Sequence, residues 1–536
     1  MVDLIGTDEL WGAVREKINS KLYGRMVELS DYLPANPSTA TCTAAIVAAA
    51  ADAIAAGVPL RIRSGQFYMA SVATIDAPNG LHIVGDGADK SLFCHDSQSY
   101  MFDIRGGTYG SAPVSLTANA AAGDTALTVS STASFSAKQW LNLQSNQVWD
   151  ASSGKAARYG ELVQVKAVTN GTTLTLYSPL DYAYTTANGA SLTACPLGKG
   201  LRLEGFGLVN RSPLTGASGA AGGLVLRQAE RPKLTDLYGE ALDGPMLTYS
   251  GVVGGKAQDV SAAYLADDET NGRYGYVHNV VDATRGFVID GGHSRACRHH
   301  VTTNAGSSSA IGGVPAHITV SDCQASAYTN AAYSTHEEGD DIVFTGCRAN
   351  NGMDMGYEFR APRSKAKSCE VVGGKGTGFL VQPTAVRSEL KDVSVFDLTG
   401  TASARGNPTT GISLSAQECV VSGFHLRNIG NSGLRIGANR QQISDGRIHQ
   451  FGVSTNVYGI HWPGASIDSS IRDVNIDGGG SSGPTGLFNA STVTGTFVSN
   501  VKTRAVSTPA SGIANLTSQT VNGSGVTETV LNSTLV

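Results

Sequence analysis

From Gly200 to about residue 504 the chain alternates polar and apolar positions in short runs, and the runs recur. One set covers 201–208, 231–238, 317–325, 341–349, 364–372, 388–395, 418–426, 442–448 and 467–476. A second set opens with glycine and an apolar residue: Gly286-Phe287, Gly356-Tyr357, Gly378-Phe379, Gly411-Ile412, Gly433-Leu434, Gly459-Ile460 and Gly486-Leu487. From Gly356 onward these lie 22, 33, 22, 26 and 27 residues apart. Alternation with a period of two puts successive side chains on opposite faces of a strand. One segment order repeated with loops of unequal length belongs to a solenoid, in which each coil stacks on the last. Antiparallel sandwiches do not repeat one segment order so often, and parallel crossovers are right-handed, so a parallel β-helix is preferred here over a propeller. The prediction is an all-β chain folded as a right-handed parallel β-helix.

One coil can be measured. Tyr333-Ser334-Thr335-His336 aligns with Tyr357-Glu358-Phe359-Arg360 at an offset of 24 residues. On that register Tyr333 sits over Tyr357, Ser334 over Glu358 and His336 over Arg360. If the tyrosines point in, the other pairs point out into solvent. This predicts a polar column on one outer face, edged by Glu337, Glu338, Asp340, Asp341 and Asp354.

Four further elements flank or interrupt the repeat. Leu10, Trp11, Val14, Ile18 and Leu22 give residues 3–24 one apolar helical stripe, with Thr7 or Asp8 as cap and Gly24 as stop. We take residues 1–30 as an attachment or oligomerisation helix. An alanine-rich helix over 41–56, stopped by Gly57, opens a segment 31–107 that caps the solenoid and starts its coils. Residues 108–200 break the pattern. Asn170-Gly171 between two apolar runs signals a hairpin, so this stretch reads as an antiparallel β insertion. The main helix then covers 201–504, and 505–536 reads as a C-terminal β extension.

Composition fits many short strands with tight turns: 65 glycines, 41% hydrophobic and only 15% charged residues. The net charge of −5 gives no basic face for nucleic acid. No run reaches the 18 or so apolar residues of a membrane span, and the acidic N-terminus is not a secretory leader. The eight cysteines show no CxxC spacing. Cys323, Cys347 and Cys369 read as buried thiols, one per coil.

An extended outer face suits an elongated polymer. Saccharide cleavage needs two carboxyl groups roughly 5–10 Å apart, and coils stack at about 4.8 Å. Glu358 is the first candidate, with Arg360 beside it and His336 above; Glu338 and Asp354 are further acids. His336 as base with Arg360 as carboxylate clamp would instead suit β-elimination. Asp290, Arg298, His299, Tyr333, Glu337 and Trp149 are candidates for substrate binding, with Asp290 expected to align with His336 and Arg360. No EF-hand, P-loop or HExxH motif occurs, and we expect neither metal nor cofactor.

The helix over 41–56 followed by Ser64-Gly65-Gln66-Phe67-Tyr68 resembles the start of pectate-lyase-like domains in phage tailspikes. The stretches Arg298–Thr303 and Tyr333–Asp340 resemble phage β-helix proteins of the same class. The resemblance covers roughly 31–105 and 200–480; Thr41-Cys42-Thr43 departs from it, replacing the usual Asp-Asp. It implies a homotrimeric, virion-borne tailspike that binds and depolymerises a bacterial surface polysaccharide. The N-terminal helix would dock to a phage tail or another spike. The same fold also serves non-catalytic receptor-binding spikes, lyases and epimerases.

Overall fold

Each coil is laid down as three strands. Ala316–Ser321, Gln324–Ser326 and Tyr333–Ser334 form one coil, and Asp340–Thr345, Arg348–Gly352 and Tyr357–Phe359 form the next. They pair in parallel, with Ile318 beside Ile342, Ala325 beside Ala349 and Tyr333 beside Tyr357. The 24-residue register therefore holds on all three walls. The first two strands of each coil join a bent sheet of 27 strands (sheet one), and the third joins a sheet of 14 (sheet two). The chain is a right-handed parallel β-helix. The computed structural model describes residues 26–533, apart from 97–98, 111, 152–155, 212–221, 306–309, 400–401, 404, 452–456, 464–465, 479–484, 490–492, 495, 507, 512–515 and 524–525. The helix expected over 3–24 lies outside the described residues.

Two local devices set this geometry. Between the two strands in sheet one, a left-handed residue turns the corner, joined by a second, Gly292, at one coil. The first is Asp259, Gly291, Asp322, Gly346, Ser368, Asp392, Gly423, Asp445 or Asp473 in successive coils, with φ between 51° and 69°. Aspartate and glycine tolerate that conformation best. The residue after the corner often turns inward, which is where Cys323, Cys347 and Cys369 lie buried; all eight cysteines are buried free thiols. The second device opens sheet two. A Cβ on Gly356 would lie 2.7 Å from the carbonyl of Gly378, and Gly378, Gly411, Gly433 and Gly459 repeat this approach to the next coil. Each glycine precedes one residue of an inward stack: Tyr357, Phe379, Ile412, Leu434, Ile460, Leu487. Gly286-Phe287 does not belong to that set. Gly286 is a left-handed corner (φ 62°) leading into Val288–Asp290 of sheet one.

Helix α1 (Thr43–Ala56) buries Ile46, Ala49, Ala50 and Ala53 over the first coils and ends at left-handed Gly57. It covers core that the first coil would otherwise expose. At the other end Leu516–Gly523 and Val526–Ser533 form an antiparallel hairpin on Val501–Arg504.

The insertion leaves sheet two after Phe102–Arg105 and returns at Gly198–Lys199. Its six antiparallel strands run in the order Val114–Ser115, Ser191–Ala194, Trp140–Val148, Arg158–Asn170, Thr173–Leu176, Ala126–Thr128. The hairpin at Asn170-Gly171 is present. The insertion has its own core, including Leu141, Leu143, Val165 and Leu192. Its two ends pass side by side, since a Cβ on Gly106 would lie 2.2 Å from the nitrogen of Gly198.

The insertion docks along the turns that lead from sheet two back to sheet one, through a small apolar cluster of Leu162, Cys195 and Leu197 against Ala283 and Ile311 and through polar groups. Asn142 exchanges two hydrogen bonds with Gly312. The indole N–H of Trp140 donates to Glu230 at 2.9 Å. Arg285 binds Glu161 and Asp181. His317 lies 3.0 Å from Asp181 of the insertion and 2.8 Å from Asp341 of the β-helix. These two hydrogen bonds, Asp181 first, lift its pKa from 6.5 to about 9 against the effect of burial.

Candidate functional site

The third strand of each coil presents one outward residue per turn. The file reads Thr302, Ser334, Glu358, Leu380, Ser413, Arg435, His461. Ser334 does lie over Glu358, but the column does not stand free in solvent. Ser334 is buried and Glu358 is only 7% exposed. Three donors converge on the Glu358 carboxylate: Arg360 Nη2 at 3.1 Å, Ser334 Oγ at 3.3 Å and Gln382 Nε2 at 3.3 Å.

Arg360 is half-buried at the strand end, where its backbone N–H donates to Thr335 Oγ1 at 2.9 Å. Its guanidinium lies between two carboxylates, Glu358 at 3.1 Å and Glu337 at 3.9 Å. Sharing one guanidinium keeps these carboxylates within roughly 10 Å of each other, the range used in glycoside hydrolysis. The backbone N–H of His336 donates to Thr303 Oγ1 at 3.1 Å. Its ring and the carboxylates of Glu337 and Glu338 offer atoms within 4.8 Å of one another.

Several residues expected at the site have other work. Tyr333 is wholly buried, and its hydroxyl donates to the carbonyls of Cys323 and Arg348. It is an inward core residue and cannot touch substrate. His299 is buried against Tyr276, and its Nδ1 lies 2.5 Å from the carbonyl oxygen of Ala331. Burial lowers its pKa from 6.5 to about 3. Arg298 is buried between Asp267 and Glu269. Asp290 lies in sheet one, ion-paired with Lys256, and does not align with His336 or Arg360 in sheet two. Asp354 is 2% exposed and receives both hydrogen bonds of the Asn407 amide, so it anchors the neighbouring loop. Burial raises its pKa. Glu338 is likewise turned into its loop and buried.

Beside Glu337 a cleft of about 360 Å³ opens between the insertion and the turns of the β-helix. Trp149 is half-buried there, with its indole N–H on the main-chain oxygen of Glu337 at 2.7 Å. Tyr182 donates to Asp340, which also pairs with Arg363; burial raises the Asp340 pKa despite both. Gln382, Tyr182 and Arg363 were not picked out from sequence. Gln382 could have been, since it falls 22 residues after Arg360, the spacing between Gly356 and Gly378.

The class that this architecture defines is met among phage spikes. The tailspike gp49 of Pseudomonas phage LKA1 superposes with a TM-score of 0.58 at 14% identity, over 91% of this chain and 89% of that one. The tailspike gp54 of Acinetobacter baumannii bacteriophage AP22, solved with A. baumannii capsular saccharide, gives 0.51 at 11% identity, over 97% and 95%. The chain shares the right-handed β-helix fold of these structures. More particularly, residues 112–195 match the family described as K1 capsule-specific polysaccharide lyase, Rider domain. A 69-residue stretch is 38% identical to the capsule K1-specific depolymerase of Klebsiella phage K64-1, spanning 13% of this chain and 7% of that protein.

Proposed function

We propose that this protein is a phage tailspike that binds a bacterial surface polysaccharide along sheet two and cleaves it. The observation that carries the reading is Arg360 with a carboxylate on either side. Glu358, held by three donors, is placed to act as base or nucleophile. Glu337, more open, is placed as the acid on the leaving oxygen. Arg360 fixes both and offers positive charge to an anionic sugar. The tailspike fold and the Rider match support a depolymerase on a virion, acting at the host surface; the spike would assemble as a homotrimer. The N-terminal segment would join it to a phage tail or another spike. Among the described residues no helix is long and apolar enough to cross a membrane.

β-Elimination is the second reading, favoured by the imidazole of His336 within 4.8 Å of the Glu337 carboxylate that faces Arg360 and by a Rider match whose name is that of a lyase. His336 would take the proton alpha to a uronate carboxylate while Arg360 stabilises the enolate. Incubation with capsular polysaccharide of a strain to which the protein attaches separates the readings. New reducing ends without ultraviolet absorbance mean hydrolysis, and absorbance from an unsaturated uronate means elimination. Glu358→Gln should lower hydrolysis by about 100-fold or more. Binding without either signal from the wild type would leave a receptor-binding spike.

A further inference from the structure

We propose that the cleft between the insertion and the β-helix turns is a saccharide subsite, seating a pyranose unit of the same polysaccharide beside Glu337. The inference rests on the reading above. One wall comes from the insertion and is aromatic. Trp149 lies 4.8 Å from Tyr159 and 5.2 Å from Tyr182 between ring centroids, and the two tyrosines lie 5.6 Å apart. The opposite wall comes from the β-helix and carries Arg363, Thr384 and Arg387. A pyranose has an apolar C–H face and a rim of hydroxyls, and a cleft with rings on one side and hydrogen-bonding groups on the other matches both. Its volume of about 360 Å³ lies at the lower end of the roughly 300–1,000 Å³ range of small-molecule sites.

Two features argue that the rings do more than hold the domains together. Docking is already carried by Asn142, Trp140, Arg285 and His317. Trp149 and Tyr159 are half-buried where the interface stays open, and Tyr182 backs them from the insertion core. Trp149 is also held ready, because its N–H is fixed to the main chain of Glu337. The cleft is continuous with the paired carboxyl groups: Glu337 lines it while facing Arg360 at 3.9 Å, and Thr384 Oγ1 donates to the carbonyl of Arg360 at 2.7 Å. A chain lying over Glu358 therefore reaches the cleft within a sugar or two, and the insertion becomes part of substrate reading.

The test uses the full chain on an array of purified capsular and O-antigen polysaccharides, then calorimetry with oligosaccharides of the glycan bound. Trp149→Ala and Val386→Trp should each weaken binding about tenfold or more. The second variant fills the cleft from the β-helix side and leaves the ring cluster intact. Trp149→Phe keeps a ring and should retain most of the affinity; thermal unfolding of each variant reports on folding. If Val386→Trp and folded Trp149→Ala bind as tightly as the wild type, the subsite is overturned and the tailspike reading stands. A wild type that binds no glycan overturns both.

Discussion

Tyr333 and its successor Ser334 lie on opposite sides of one wall. Period-two alternation made that division readable, and the 24-residue offset followed from two tyrosines that stack at 4.8 Å in the core. What alternation could not reveal was depth. Glu358 points outward, yet Ser334, Arg360 and Gln382 crowd it from three neighbouring positions, and only the assembled coils bring those together. His299 and Arg298 misled for a related reason: polar residues beside a strand look exposed until an aromatic ring or a pair of acids closes over them. Two substitutions follow at this scale. Tyr333→Phe removes the hydroxyl that donates to the Cys323 and Arg348 carbonyls, the first of which still accepts from the Arg348 N–H, and should cost about 0.5–1.5 kcal/mol in denaturant unfolding, with glycan binding unchanged. Arg360→Lys keeps the charge but loses the fork that faces two carboxylates. It should lower kcat more than thermal stability, measured by reducing-end release and calorimetry.

Among the elements, the glycine that opens each strand of sheet two was visible as a repeat, but its reason was not. A Cβ on Gly411 would meet the carbonyl of Gly433 at 2.6 Å. Gly411→Ala should push adjacent coils apart and cost about 1–3 kcal/mol, seen as a lower unfolding temperature. Gly286 carried the same dipeptide pattern without the same place, because a left-handed corner also selects glycine. The insertion was legible through its hairpin; its docking surface was not, since Arg285, His317 and Asp341 are remote from it in sequence. His317 makes that docking pH-dependent. Its folded pKa is about 9 and its ordinary value 6.5. A raised value means the contribution is complete below pH 6.5 and disappears as pH rises through 9. Asp181, Asp341 and Asp340 favour the cation, Arg285 opposes it, and Lys365 competes for Asp341. Protease cleavage of the insertion should quicken between those limits, and His317→Gln should flatten the dependence.

At the scale of the whole molecule, unequal loops on a constant strand frame were enough to name the architecture. Assembly is a prediction of its own: sedimentation at micromolar concentration should give three times the 55.3 kDa chain mass, and a monomer would count against the virion role. The corner of Asp, Gly and Ser residues, with φ between 51° and 69°, keeps every coil interchangeable with its neighbours.

The paired crossing at Gly106 and Gly198 has an evolutionary consequence. Since entrance and exit share one narrow gate, a gene segment encoding the lodger can be replaced in a single recombination without rethreading its host. An insertion with a different surface can thereby be exchanged while the coils of the β-helix and their stacking remain as they were.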